Sequence, residues 1–523
     1  MRRLARDVLL MAFATGVSRL LGLARMGAIA NVFGASAAYD AFLIAFFLPN
    51  LLRSLLAEGA LSTAFVPIYA AMRVRKEKHR GRSESYEQGV PENTEDADTF
   101  ASSLLSWLLI LFPITVAAGA LLAPIYVPFL ASGFGEEKLM LAISLTRWIF
   151  PFIALMGFAA VFMGILNARR RFFPSAFAPV WFNVGMLIGI FVVVRAFPDA
   201  PIYGLAAGVL IGGAGQLVSQ IPSLRSLGFR FRFHLAPVHP AIRSLGRRML
   251  PAVLALAVTQ VNLLVDNKIA SYLPDGGISA LQYAMRLFQL PLGVFAVSIA
   301  TALLPRLSEW HARDDHERFS KGLGEGIAST GLVLLPAMAG LLILGSDVIR
   351  LLFQHGTFGP ADAARTAGAL FAYSVGLLPY GLIFVLTRAS HAVGRTALPV
   401  IASAVAVAVN IGLDLALVDP LAETGLALAT AIAGLVNAVV LATLLRRRFD
   451  WRPMVRIFGA PILGMSLLMA AVVFGLRQFL GEAHAALAVF VPMLGGLVVF
   501  ALGVRFTRMW SLVRGLGRDE GVA

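Results

Sequence analysis

The stretch "LPNLLRSLLAEGALSTAFVPIY" at 48–69 has the apolar content of a membrane-crossing helix, yet it carries Arg53 and Glu58 in its interior. Similar charges stand in other apolar runs: Arg19 and Arg25 in the first, Asp40 shortly before Arg53, and Arg286 inside "YAMRLFQLPLGVF". An arginine at the centre of a membrane helix costs ~2.5–3.5 kcal/mol on insertion, so four facing lipid would cost on the order of 10 kcal/mol. These side chains must face a wet cavity or bind partners. Arg25 and Asp40 stand close enough to the ends of their runs to snorkel to the membrane surface. Arg53 and Arg286 have longer apolar flanks and need another reason. Two acids among four arginines leave a cationic excess, and a guanidinium presents a planar fork suited to bidentate capture of phosphate or carboxylate. The chemistry this set could serve is recognition of an anionic substrate, with phosphate the natural group. The plain alternative is a set of internal salt bridges that fix helix packing, with Glu58 paired to an arginine.

A second set is made of oxygens. "VNLLVDNKIAS" places Asp266 four residues after Asn262, and "VNIGLDLAL" places Asn410 and Asp414 at the same spacing, on one helix face. "GLALATAIAG" repeats that spacing with Leu426 and Thr430. Two carboxylates, an amide, a hydroxyl and a backbone carbonyl suit a hard cation, and the absence of Cys and of a nearby His argues against a transition metal. Na⁺ or a proton is the candidate. A buried hydrogen-bonded cluster, with Lys268 neutralising one acid, is the alternative.

Covalent chemistry finds little support. The chain has no G-x-S-x-G, H-E-x-x-H or Walker loop, and His355 and His391 stand alone. No cofactor is expected beyond Na⁺ as a coupling ion.

The elements that must position these residues are membrane helices. The 523 residues are 58% hydrophobic and 14% charged, against roughly 25% charged in a soluble domain. Mean hydropathy is +0.80. The pattern predicts an all-α polytopic membrane protein of about fourteen spans of ~20 residues or more. They are placed at 8–33, 37–72, 99–131, 137–167, 174–197, 201–223, 246–273, 278–304, 321–344, 362–393, 397–418, 424–445, 455–477 and 484–504. With the N-terminus inside, one set of loops holds roughly thirty Lys and Arg and the other about five, which orients both termini to the cytoplasm. The first apolar run lacks a cleavage site and reads as the first span rather than a signal peptide. The net charge of +15 therefore reflects topology, and no nucleic-acid partner is expected.

Residues 73–98 form a polar cytoplasmic loop, and 224–245, with "RSLGFRFRFH", an interfacial connector. "AYDAFLIAFFLP" (38–49) can be laid on "ALQYAMRLFQLP" (280–291). That weak repeat predicts two pseudo-symmetric six-helix lobes, 1–223 and 246–445, followed by two extra helices and a tail over 446–523.

"SRLLGLAR", "YDAFLIAFFLPNLLRSLLAEGALSTAFVPIY", "YAMRLFQLPLGVF" and "LFQHGTFGPAD" resemble the MurJ/MviN lipid II flippases of bacterial peptidoglycan synthesis, in the multidrug/oligosaccharidyl-lipid/polysaccharide exporter superfamily. The resemblance implies fourteen helices in two lobes, a central cationic cavity and a lipid-tail groove formed with the last two helices. It implies that Arg19, Arg25, Arg53 and Arg286 are the cavity arginines, with Asp40 as an acidic partner and Asn50 and Ser279 at further cavity positions. It implies a sodium site of Asp266, Asn410, Asp414, the Leu426 carbonyl and Thr430. A cavity glutamate known in some members is Gln289 here, so a role tied to that carboxylate does not carry over.

The expected activity is movement of lipid II from the cytoplasmic to the outer leaflet by alternating access, in the bacterial inner membrane, with Arg53 holding the diphosphate and Glu58 orienting an arginine. The expected partners are lipid II and membrane lipid, with cell-wall synthesis or division proteins as further candidates. Two other functions compete: export of another polyprenyl-diphosphate-linked saccharide, and a membrane-embedded scaffold for cell-wall machinery. A drug exporter should favour acidic cavities, and a polyprenyl-phosphate enzyme should show acids in its external loops, which are short and acid-poor.

Overall fold

A computed structural model describes residues 2–54, 64–73, 97–235, 240–446, 450–481, 484–507 and 509. Every regular element among them is helical. This is what lipid demands, because a helix satisfies its backbone N–H and C=O groups within itself. Helices α1 (Arg2–Phe33) and α2 (Ala37–Arg53) are followed by α3 (64–73) and α4 (Ala97–Leu130). Next come α5 (Glu136–Ile149), α6 (Phe152–Ala168), α7 (Phe172–Phe191), α8 (Ile202–Val218), the short α9 (Ile221–Ser226) and α10 (Pro240–Ala270). The second part of the chain holds α11 (Gly277–Pro291), α12 (Val297–Ala312), α13 (His316–Phe353), α14 (Pro360–Val375) and α15 (Leu377–Ala392). It ends with α16 (Ala397–Arg446), α17 (Arg452–Leu480) and α18 (Ala485–Phe506).

The all-helical membrane class is as expected. Nine described helices are long and apolar enough to span, or ten if the bent pair α14–α15 is one span. Helices α1 and α10 carry several charges, and α2 is described over 17 residues, Ala37–Arg53. Helix α16 joins two helices across a kink, and the kink falls in the gap at 419–423 between the segments expected as the eleventh and twelfth spans. Its break is a single non-helical residue, Ala422, at φ 46°, close behind Pro420.

The residues divide into two compact units, Met1–Phe33 with Ala37–Ser271, and Gly34–Ser36 with Tyr272–Ala523. Helix α10 thus groups with the first unit. Within that unit α7 packs tightly on α8 through glycines, since a Cβ on Gly185 would lie 2.2 Å from the Gly212 nitrogen and one on Gly189 2.5 Å from the Gly204 carbonyl oxygen. Membrane helices gain little from hydrophobic exclusion, so small residues that let backbones approach carry the packing. Helix α1 lies on α7, and α2 on α5. In the second unit α14 and α15 pack on α16, while α13 packs on α17 and α18. A π-helical turn, Leu292–Ala296, follows Pro291, where the missing N–H interrupts the regular ladder.

Candidate functional site

In the first unit α1 presents Ser18, Gly22 and Arg25 at i, i+4 and i+7, one face of a helix, toward α7. Asn183 of α7 donates through Nδ2 to the Ser18 carbonyl (3.1 Å), the Ser18 hydroxyl (3.4 Å) and the Pro179 carbonyl (3.2 Å). The Arg25 guanidinium carbon stands 5.5 Å from the centre of the Phe182 ring, a cation–π distance. Arg19 follows Ser18 and is exposed within the unit. Asn183 was not singled out from sequence, although an amide inside "APVWFNVGMLIG" was a usable signal.

Asp40 lies in the first turn of α2, where a carboxylate suits the positive end of the helix dipole. It is fully buried and paired with Lys138 of α5 at 2.8 Å. Lys138 Nζ also sits 4.1 Å from the Phe134 ring centre. At the other end of α2, Arg53 Nε donates to Asn50 Oδ1 (3.0 Å), one helical turn back. This bond fixes the plane of the guanidinium. Glu58 lies outside the described residues.

In the second unit α11 begins after Gly276, whose φ of 84° lies in the left-handed region. Ser279, Gln282, Arg286 and Gln289 recur at i, i+3, i+7 and i+10, a polar stripe on an otherwise apolar helix. Ser279 is fully buried, while Arg286 and Gln289 are exposed within the unit.

The oxygen set is divided. Asp266 belongs to the first unit, half-buried on α10, and accepts from Asn262 Nδ2 (3.0 Å). Lys268 lies with Nζ 4.3 Å from the Phe129 ring centre. The other four residues are on α16, whose halves fold back on each other. A Cβ on Gly425 would lie 2.2 Å from the Leu417 carbonyl oxygen, and Asn437 Nδ2 bonds Ser403 Oγ at 3.3 Å. That register sets Asn410 and Asp414 level with the turn that carries Leu426 and Thr430. Both are buried, and the Asn410 amide nitrogen has no acceptor among the described residues. The Thr430 hydroxyl donates to the Leu426 carbonyl (3.0 Å). Carboxylate, amide, hydroxyl and carbonyl oxygens are the ligand types that suit a hard monovalent cation, whereas the unsatisfied Asn410 amide nitrogen is a hydrogen-bond donor and calls for an acceptor. No group of three or more His, Cys, Asp or Glu among the described residues could hold a metal ion.

Three polar networks went unread in the sequence. Tyr69 of α3 donates to Asp98 Oδ1 of α4 (2.5 Å), and Arg169, just past α6, bonds Asp98, the Tyr69 oxygen (2.7 Å) and the Leu227 carbonyl (2.7 Å). Burial acts to lower the Arg169 pKa, but the bonds to Asp98 and Tyr69 outweigh it and hold the guanidinium above its ordinary value. Arg365 joins Glu423, beside the α16 break, to the Asp275 carbonyl (2.7 Å). Arg477 of α17 grips Asp347 of α13 with two bonds, at 2.6 and 2.9 Å, and the Gly481 carbonyl at 2.7 Å.

An all-helical membrane chain in two units, with arginines set into apolar helices and a partly buried set of oxygens, has the architecture of a transporter. Its fold is shared with a structure described as the inward-facing conformation of a multidrug resistance MATE family transporter of the MOP superfamily (TM-score 0.66, 17% identity, 84% of this chain and 96% of that one). A family model described as "Lipid II flippase MurJ" matches residues 29–494, and the chain belongs to that family. A relative from Vibrio cholerae serotype O1, named "Probable lipid II flippase MurJ", is 33% identical over 446 residues, 84% of this chain and 82% of the relative. A solved structure, "Lipid II flippase MurJ, inward closed conformation", superposes with a TM-score of 0.79 at 28% identity, covering 98% of this chain and 100% of that one.

Proposed function

We propose that this protein moves lipid II, the undecaprenyl-diphosphate-linked peptidoglycan precursor, from the cytoplasmic to the outer leaflet by alternating access. The observation that carries this reading is the placement of Arg53. It is a half-buried arginine on an apolar helix, with Nε tied to Asn50, in a chain of the MurJ family. Arg19, Arg25, Arg53 and Arg286 are the residues we assign to recognition of the diphosphate, and the polyprenyl tail stays in lipid. Neutralising the cations removes the repulsion that keeps like charges apart and permits closure. Asn50 orients Arg53, and Phe182 holds Arg25 by its ring face. No covalent step is required.

Asn410, Asp414, the Leu426 carbonyl and Thr430, all on α16, would hold Na⁺, and occupancy of that site would bias the protein toward one conformational state. The membrane potential supplies ~2.3 kcal/mol per elementary charge per 100 mV. The loop charges support a topology with both termini in the cytoplasm, and the family supports a place in the inner membrane of its cell.

The test is delivery of lipid II to the outer leaflet in cells depleted of their own flippase, at equal membrane abundance of wild type, Arg53→Ala and Arg286→Ala. The expected result is rescue by the wild type alone. If a well-inserted wild type fails, lipid II is not the substrate, and another polyprenyl-diphosphate-linked saccharide takes its place. If both variants rescue as well as wild type, the arginines are not the diphosphate site.

A further inference from the structure

Between α9 and α10 the chain runs without helix over residues 227–235 and lies along α4. The Arg232 backbone N–H donates to Ser102 Oγ (3.4 Å) and the His234 N–H to Ser106 Oγ (3.0 Å). The two serines are four residues apart, ~6 Å along the helix at ~1.5 Å per residue. Two residues of extended chain advance ~6.6 Å. The strap must therefore be nearly fully extended to make both bonds, and successive side chains point to opposite sides.

The sequence exploits that alternation. Phe229 is buried and packs among the cluster that includes Phe100, Leu105 and Leu224, which anchors the strap. Beyond it Phe231, Phe233 and Leu235 are 44%, 62% and 41% exposed. Arg230, Arg232 and His234 occupy the alternate positions and are exposed as well. Ser102 and Ser106 stand ~8 and ~14 Å along α4 from Ala97, its first residue, at ~1.5 Å per residue. Trp107, the next residue, is 40% exposed, and tryptophan is enriched at membrane interfaces. The strap thus runs from the polar end of α4 inward across the depth at which phosphates give way to acyl chains. Its aromatic side chains and its arginines are separated as that boundary requires.

We propose that this strap, Phe229 to Leu235, is a binding site for anionic glycerophospholipid: Arg230 and Arg232 take the headgroup phosphate, and Phe231, Phe233 and Leu235 lie against the acyl chains. Charge complementarity selects the occupant, because two guanidinia on one side of an extended strand have no acidic residue within the strap to satisfy them. The role is distinct from substrate transport and would anchor α4, α9 and the entry to α10 at one membrane surface.

The test uses the full chain in nanodiscs with a photoactivatable phosphatidylglycerol, and a matched phosphatidylcholine, with labelled residues located by peptide mass spectrometry. Wild type should label within 229–235 and the facing turns of α4 with phosphatidylglycerol and much less with phosphatidylcholine. An arginine near an anionic surface is worth ~1 kcal/mol, about fivefold, so R230Q/R232Q should lower that labelling by about thirtyfold. R230K/R232K, which keeps the charge, should retain most of it, and this pair decides the matter if the glutamine variant fails to insert. Equal labelling by the two lipids, or labelling unchanged in R230Q/R232Q, overturns the proposal. So does displacement of the phosphatidylglycerol by an equimolar polyprenyl diphosphate, which would make the strap a substrate-approach site.

Discussion

Asp40 is the sharpest place to test how this fold handles its buried charges. Its carboxylate is fully buried, and Lys138 Nζ, on a side chain only 10% exposed, reaches it at 2.8 Å. Removing the lysine leaves a carboxylate in a low-dielectric site without its ammonium partner. Breaking a buried pair in this way costs about 3–5 kcal/mol, whereas replacing both members with apolar residues of similar size is often near neutral. Lys138→Ala should therefore destabilise the protein by about 3–5 kcal/mol, and Asp40→Asn by less, because the amide sheds the buried charge. The double variant Asp40→Leu/Lys138→Met should recover most of the loss. Reversible unfolding in mixed micelles measures each stability, and the cycle of Asp40→Asn, Lys138→Ala and their combination measures the coupling. Transport by the apolar double variant then separates structure from function. If it is stable but inactive, the carboxylate acts on substrate or on an arginine; if it is stable and active, the pair serves packing alone. Stability of Lys138→Ala within ~0.5 kcal/mol of wild type, or additivity of the two single changes, would refute the account of Asp40 as a charge held by Lys138.

The bond from Arg53 to Asn50 predicts that Asn50→Ala lowers transport by about tenfold, from the ~1.5 kcal/mol lower range for a hydrogen bond to a charged group, and less than Arg53→Ala does; equal rates in Asn50→Ala and wild type, at matched abundance, would contradict it. If the α16 oxygens hold sodium, replacing KCl with NaCl should raise the unfolding temperature of the wild type and leave that of Asp414→Ala unchanged; an equal rise in both removes Asp414 from any cation site. Gly185→Leu should prevent α7 from seating on α8, since even a Cβ would lie 2.2 Å from the Gly212 nitrogen, and a loss above ~3 kcal/mol is expected from overpacking against backbone. A Gly185→Leu protein with wild-type unfolding behaviour would show that this contact is not made.

The amino-acid sequence by itself determined the class and the family. Long apolar runs leave no other way to satisfy the backbone in lipid, and short motifs such as "YDAFLIAFFLPNLLRS" carry the kinship. It also exposed Arg19, Arg25, Arg53 and Arg286, because a charge in an apolar run is visible without knowing what lies beside it. Local pairs were legible for the same reason. Asn262 and Asp266 are one helical turn apart and make the bond that spacing allows, as do Asn50 and Arg53, a pair not singled out from the sequence. What spacing does not reveal is partnership across the chain. Lys138 for Asp40, Arg169 for Asp98 and Arg477 for Asp347 are separated by 98, 71 and 130 positions, and each pairing depends on which helix faces lie against each other. The break in α16 was legible as a position, since Asp419 and Pro420 interrupt the apolar run, but not as a conformation, since alanine is a strong helix former and only the folding back of the two halves holds Ala422 at positive φ. The tertiary structure decided these because a buried charge takes its partner from whatever packing brings near, and packing of membrane helices is set by small residues and close approach more than by hydrophobic pattern.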